Sequence, residues 1–102
     1  MQFKELQDKL VQNLIKYGKK HKIEIDEDFA LFKLFEEVGE LSQAILIDRK
    51  KSRPIKHVSK EESKKQVADE LADVFGMTVV VAHLMDIDLE DALDKKWINR
   101  EK

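Results

Sequence analysis

The chain has 102 residues, 42% of them hydrophobic, and 19 Lys and Arg against 21 Asp and Glu give a formal net charge of -2; this suffices for one small core and provides no general attraction to nucleic acid or anionic lipid. No cysteine is present, which excludes a disulfide framework and a thiolate metal site and is compatible with a reducing cytoplasm. The longest apolar run, MTVVVAHLM (Met77–Met85), is too short to span a bilayer and MQFKELQDKL has no signal-like core, so a soluble, cytoplasmic protein with no membrane partner is expected.

Three glycines and one proline are the only strong breakers, and the apolar spacing is helical almost throughout. Phe3, Leu6, Leu10, Leu14 and Tyr17 predict a first helix over about residues 2–18, with Gly18 and the basic group Lys19, Lys20, His21 and Lys22 as its exit. A second helix is expected from Asp26 or Asp28 to about Asp48, with Leu31, Leu34, Phe35, Val38, Leu41 and Ile45 as its apolar stripe. The segment DRKKSRPIKHV interrupts the period. Ser59 and Glu62 then form a capping-box signal for a third helix over about residues 60–85. A fourth helix is expected from Asp88, with Glu90 and Asp91 in its first turn, running through Leu93, Trp97 and Ile98. No linker divides these pieces, so residues 1–102 read as a single all-α, four-helix domain.

Two acidic patterns recur in the central helices. Residues three apart share a helix side, so Glu37 converges with Glu40, and Glu70 with Asp73. At about 100° per residue Glu37 lies roughly 80° from the centre of the second helix's apolar stripe, and Glu36 lies nearly opposite it. In the third helix Val67, Leu71, Val74, Thr78, Val81 and Met85 define one stripe, and Glu70 is only about 60° from its centre. Asp73, Met77, Val80 and Leu84 make a neighbouring stripe. A single Glu-x-x-Glu is usually a solvated face. Two such pairs bordering apolar surfaces fit a lined cleft or an association face instead, because carboxylates there repel one another unless a cation binds them. If the two acidic helices pack side by side, four carboxylates can surround a hard divalent cation, and magnesium suits an oxygen-only ligand set completed by phosphate oxygens and water. Hydrolysis of a phosphoanhydride is then a coherent activity.

The stretches EEVGEL (Glu36–Leu41) and DELADVFGM (Asp69–Met77), followed by IDLEDALDKKWINREK, resemble the MazG-like all-α nucleoside triphosphate pyrophosphohydrolases over most of the chain. The basic, proline-containing part of Leu41–Asp69 is long for that family. The resemblance implies a compact four-helix MazG-like domain in which Glu37, Glu40, Glu70 and Asp73 bind magnesium and serve catalysis. It further implies cleavage of a nucleoside triphosphate between its α and β phosphates, releasing nucleoside monophosphate and pyrophosphate. By the same comparison Lys95 and Asn99 help hold the substrate phosphates, with Arg100 beside them, and the active sites lie near subunit contacts. Without it, Lys95 and Arg100 read as solvated helix charges and Asn99 as a capping residue. A phosphoribosyl-nucleotide pyrophosphohydrolase, with similar chemistry on a different substrate, and a non-enzymatic helical oligomerisation or regulatory module are the alternatives.

The remaining chemistry-bearing residues have plainer readings. Glu36 could support the metal from outside or simply be exposed. His83 has no Glu-x-x-His partner, which argues against a ferritin-like di-iron site. His21 and His57 sit in basic surroundings. Lys50, Lys51, Arg53, Lys56 and Lys60 lack interleaved aromatics and read as a solvated connector, so no specific nucleic-acid partner is expected. Trp97 and Phe29 or Phe32 could flank a base, although aromatics on helical stripes more often join a core. Finally, Met77, Val80 and Leu84 form a strip beside Val74, Val81 and Met85, more apolar surface than a lone small bundle covers. A homodimer or homotetramer is expected to complete the fold.

Overall fold

The structure, a computed structural model, describes residues 1–100. Among these the chain forms four α-helices and no strand: α1 (Phe3–His21), α2 (Glu27–Asp48), α3 (Lys60–Leu84) and α4 (Leu89–Leu93). A 3-10 turn at Pro54–Lys56 lies between α2 and α3, and a π-helical turn at Asp94–Ile98 follows α4 directly. The all-α architecture is the one the periodicity requires. None of the described helices is long and apolar enough to cross a membrane.

Side-chain oxygens start three of the helices by accepting from backbone N–H groups that have no partner within the first turn. Asp26 Oδ1 accepts from Phe29 N–H at 2.8 Å, Ser59 Oγ from Glu62 N–H at 3.1 Å, and Asp88 Oδ1 from Asp91 N–H at 3.0 Å. The helix ends are less conventional. Lys22, Lys50 and Asp86 adopt the left-handed region with φ of 57°, 56° and 57°. Each is followed by a residue whose N–H reaches back five positions: Ile23 to Gly18 O at 2.9 Å, Lys51 to Leu46 O at 2.8 Å, Ile87 to Ala82 O at 2.8 Å. These are Schellman closures made without glycine.

Gly18, expected to end α1, instead lies inside it and is buried. A Cβ there would stand 2.7 Å from Ile25 Cγ1 and 2.8 Å from the Ile23 carbonyl oxygen. The missing side chain thus admits the returning chain, and the helix runs one more turn to His21. At the other end, the expected continuous fourth helix changes hand-hold after Leu93. Asn99 N–H bonds to Asp94 O at 2.7 Å, an i to i−5 closure, while the Asn99 amide donates to Asp94 Oδ1 at 2.6 Å.

The chain divides into two compact units, one of residues 1–30 with those from Thr78 onward, the other Leu31–Met77. In the first unit Val11, Ala30, Val79, Val80 and Ala82 are buried. In the second, Ala44 and Met77 are buried together with the polar Glu37 and Ser63. Ser63 Oγ donates to Asp48 Oδ1 at 2.7 Å, with the Lys60 carbonyl 3.0 Å away as an alternative acceptor, and Lys60 Nζ donates to both Asp48 oxygens at 2.8 Å. These bonds hold the Asp48 carboxyl below its ordinary range, Lys60 first and Ser63 second, and tie the end of α2 to the start of α3.

The buried faces of α2 and α3 are rotated from the expected stripes. On α2 the buried positions are Ala30, Glu37 and Ala44, spaced by two turns, while Leu31, Phe35 and Val38 are exposed. On α3 Met77 and Val80 belong to the interior, whereas Leu71 and Met85 are exposed. The surplus apolar surface expected at Met77, Val80 and Leu84 is therefore covered at the first two, while Leu84 is half-buried. It appears instead on α2 and α3 at Phe32 (69% exposed), Phe35 (66%), Val38, Leu71 and Phe75.

Candidate functional site

In the unit Leu31–Met77, α2 contributes Glu37 and Glu40 from successive turns and α3 contributes Glu70 and Asp73 in the same way. One carboxylate oxygen from each of the four lies within 4.8 Å of the others. The sequence spacing could align each pair on its own helix; the cross-helix convergence requires the packing that the Asp48–Ser63–Lys60 bonds help fix.

Burial is uneven. Glu37 retains only 7% of its exposure, Glu70 is half-buried, and Glu40 and Asp73 are exposed. Glu37 Oε2 and Glu70 Oε2 are buried without a hydrogen-bond partner. Unit charges 4.8 Å apart repel by about 3 kcal/mol per pair at an effective dielectric constant of about 20. The fold alone therefore does not favour four ionised groups. The Glu37 carboxyl is pushed up from 4.5 to about 7, by burial first, then by hydrogen bonding with Glu40 and its charge, then by Asp73, with Lys33 acting in the opposite sense. Glu70 is raised as well, by burial and then by the charges of Glu40 and Asp73. Protons or a cation must relieve this cluster.

A magnesium ion fits the donor set. All the available atoms are hard carboxylate oxygens, and two buried oxygens of the cluster, Glu37 Oε2 and Glu70 Oε2, lack a hydrogen-bond partner, the donor chemistry that magnesium prefers.

Next to the cluster, Lys33 Nζ donates to Glu36 Oε1 and lies 3.7 Å from Glu37 Oε1. Glu36 itself is exposed. The sequence marks Lys33 only by its position four residues before Glu37, one helical turn away.

Lys95, Asn99 and Arg100 belong to the other unit. Lys95 Nζ pairs with Asp91 at 2.9 Å, which together with the Asp91 charge raises its pKa. The Asn99 amide is engaged by Asp94, and Arg100 is exposed. Trp97 is 77% exposed and Phe32 is exposed too, so neither aromatic takes the core place that helical stripes commonly imply; Phe29 is half-buried. His83 borders a shallow cleft with Phe3, Asp8 and Asp86, away in sequence from any acidic pair. His21 packs its ring against Tyr17 at a centroid distance of 4.5 Å.

No curated protein and no solved structure matches the chain. The family model of the MazG nucleotide pyrophosphohydrolase domain does match, over residues 26–102. That span takes in α2, α3, α4 and both carboxylate pairs, and the chain belongs to the MazG nucleotide pyrophosphohydrolase family.

Proposed function

We propose that this MazG-family pyrophosphohydrolase is a magnesium-dependent nucleoside triphosphate pyrophosphohydrolase, formed by residues 1–102 as one helical domain and acting in the cytoplasm. The observation that carries the reading is the pair of buried, unpartnered oxygens of Glu37 and Glu70 inside a cluster of four carboxylates. Glu37, Glu40, Glu70 and Asp73 would hold the cation. Bound there, magnesium supplies charge neutralisation for the phosphate chain and acidifies water.

The side chains perform the rest. Lys95, Asn99 and Arg100 restrain the phosphate chain through an ammonium, an amide and a guanidinium, Lys95 and Asn99 exchanging their present partners Asp91 and Asp94 for phosphate oxygens. Water attacks the α phosphorus; its oxygen forms the new P–O bond, the bond from the α phosphorus to the α,β-bridging oxygen breaks, and pyrophosphate leaves with the electron pair. A carboxylate of the cluster or solvent takes the water proton. The protein acts as a homodimer or homotetramer, with the exposed Phe32, Phe35, Val38 and Leu71 as apolar side chains for subunit contact.

Hydrolysis in oxygen-18 water, with a panel of ribo- and deoxyribonucleoside triphosphates and magnesium, tests the bond cleaved. Label in the monophosphate with unlabelled pyrophosphate is expected. Diphosphate with labelled inorganic phosphate would refute the reading. Turnover confined to phosphoribosyl-nucleotides would replace the substrate class, and magnesium binding without any turnover would favour a regulatory module.

A further inference from the structure

We propose that Lys33 is a built-in counter-ion that holds the carboxylate cluster until magnesium arrives and then turns to the substrate's phosphate chain, coupling the two binding events. The proposal rests on the magnesium-dependent reading above. Lys33 is anchored one turn before Glu37 on α2, its ammonium shared between the exposed Glu36 and the buried Glu37. It is the one cation for which an ion pair with a member of the cluster is seen among the described residues.

The chemistry follows from this sharing. Before metal binds, the ammonium partly offsets the charge on Glu37. A divalent cation taking Glu37 competes with it directly and is repelled by it, so Lys33 weakens cation binding to the free protein. Once displaced, the ammonium stays tethered by a flexible four-carbon stem beside the metal, with three donors and no acceptor. A polyphosphate held by the same metal supplies an anionic oxygen in place of Glu37, while Glu36 stays within reach of the same ammonium. Lys33 thereby disfavours cation alone and favours cation with phosphate. Such coupling is reciprocal: magnesium strengthens polyphosphate binding by the factor by which polyphosphate strengthens magnesium binding. A lysine that only stabilised α2 would change neither affinity in this opposed way.

The test is calorimetric titration of the wild-type chain and of Lys33→Met with magnesium chloride alone, then with inorganic tripolyphosphate at saturating magnesium. Lys33→Met is expected to bind magnesium about fivefold more tightly and magnesium-tripolyphosphate about tenfold more weakly. Lys33→Arg, which keeps the charge, is expected to restore both directions. Circular dichroism establishes that each variant is folded, and if Lys33→Met is not, Lys33→Gln takes its place in both titrations. Unchanged or weaker magnesium affinity in the neutral variant, or unchanged tripolyphosphate affinity, would overturn the role of Lys33 while leaving the metal site standing. A wild-type chain that binds no magnesium would overturn the metal reading itself, and the counter-ion role with it.

Discussion

Replacing Glu37 by Gln isolates the tension in the acidic cluster. Burial and the neighbouring carboxylates push the Glu37 carboxyl up to about 7, against 4.5 for an ordinary glutamate, a difference worth about 3 kcal/mol at roughly 1.4 kcal/mol per pH unit. Because the folded-state value is the raised one, the native protein binds more protons than the unfolded chain across that interval. The Glu37 contribution to stability is therefore fully present below 4.5 and is lost as the pH climbs from there to about 7. Gln keeps the shape and removes the ionisation. It also loses the half-exposed Lys33 pair at 3.7 Å, worth under about 1 kcal/mol. The net expectation with a chelator present is a gain of about 1–3 kcal/mol near pH 8, or roughly 5–15 °C in Tm for a domain of this size, shrinking towards nothing near pH 4, where Glu37 is protonated in the folded chain and largely so in the unfolded one. Thermal melts followed by circular dichroism at the two pH values measure it. Saturating magnesium should reverse the order by stabilising the wild type alone. A variant no more stable than wild type near pH 8, or equally stabilised at both pH values, would refute the idea that ionised Glu37 burdens the fold.

Other substitutions address different parts of the molecule. Glu70→Gln and Asp73→Asn should each lower magnesium affinity and turnover by tenfold or more while leaving metal-free Tm unchanged or higher; calorimetry paired with melts reads both, and wild-type affinity in either variant would remove that residue from the site. Gly18→Ala should destabilise by about 1–3 kcal/mol in urea titration, since crowding against Ile25 and a backbone oxygen outweighs a helix-propensity gain of about 1 kcal/mol. Light scattering over a dilution series should show a dimer or tetramer that Phe35→Glu disperses, and a fully active species with the mass of one 12.0 kDa chain would reject the association.

Much of this was legible from spacing. The Ser59 and Asp88 caps and the helix starts follow from local chemistry, which a short window contains. The partnership of Glu37 and Glu40 with Glu70 and Asp73 was legible as two pairs, because the period of a helix fixes which residues share a side. What a wheel cannot supply is the direction of the partner. The face of α2 turned inward is the one bearing Ala30 and Ala44, and the greasier face of Phe35 and Val38 remains outside, so hydrophobicity alone misplaced the interior. The exit of α1 is not readable at Gly18, because glycine's tolerance of left-handed backbone is a local property, whereas the space it leaves for Ile25 depends on chain that returns seven residues later. The charge-sharing of Lys33 likewise needed side-chain positions, since the same lysine could have paired with Glu36 alone.

The three left-handed closures at Lys22, Lys50 and Asp86 leave the chain with a margin for adaptation. A side chain in that backbone region costs on the order of 1 kcal/mol relative to glycine, and each site lies at a helix end, away in sequence from both carboxylate pairs. Glycine at any of them would relieve local strain without touching the cluster. Well-separated increments of this kind add, so a warmer-adapted relative could raise its working temperature from its helix ends while the electrostatic tension among Glu37, Glu40, Glu70 and Asp73 stays as it is.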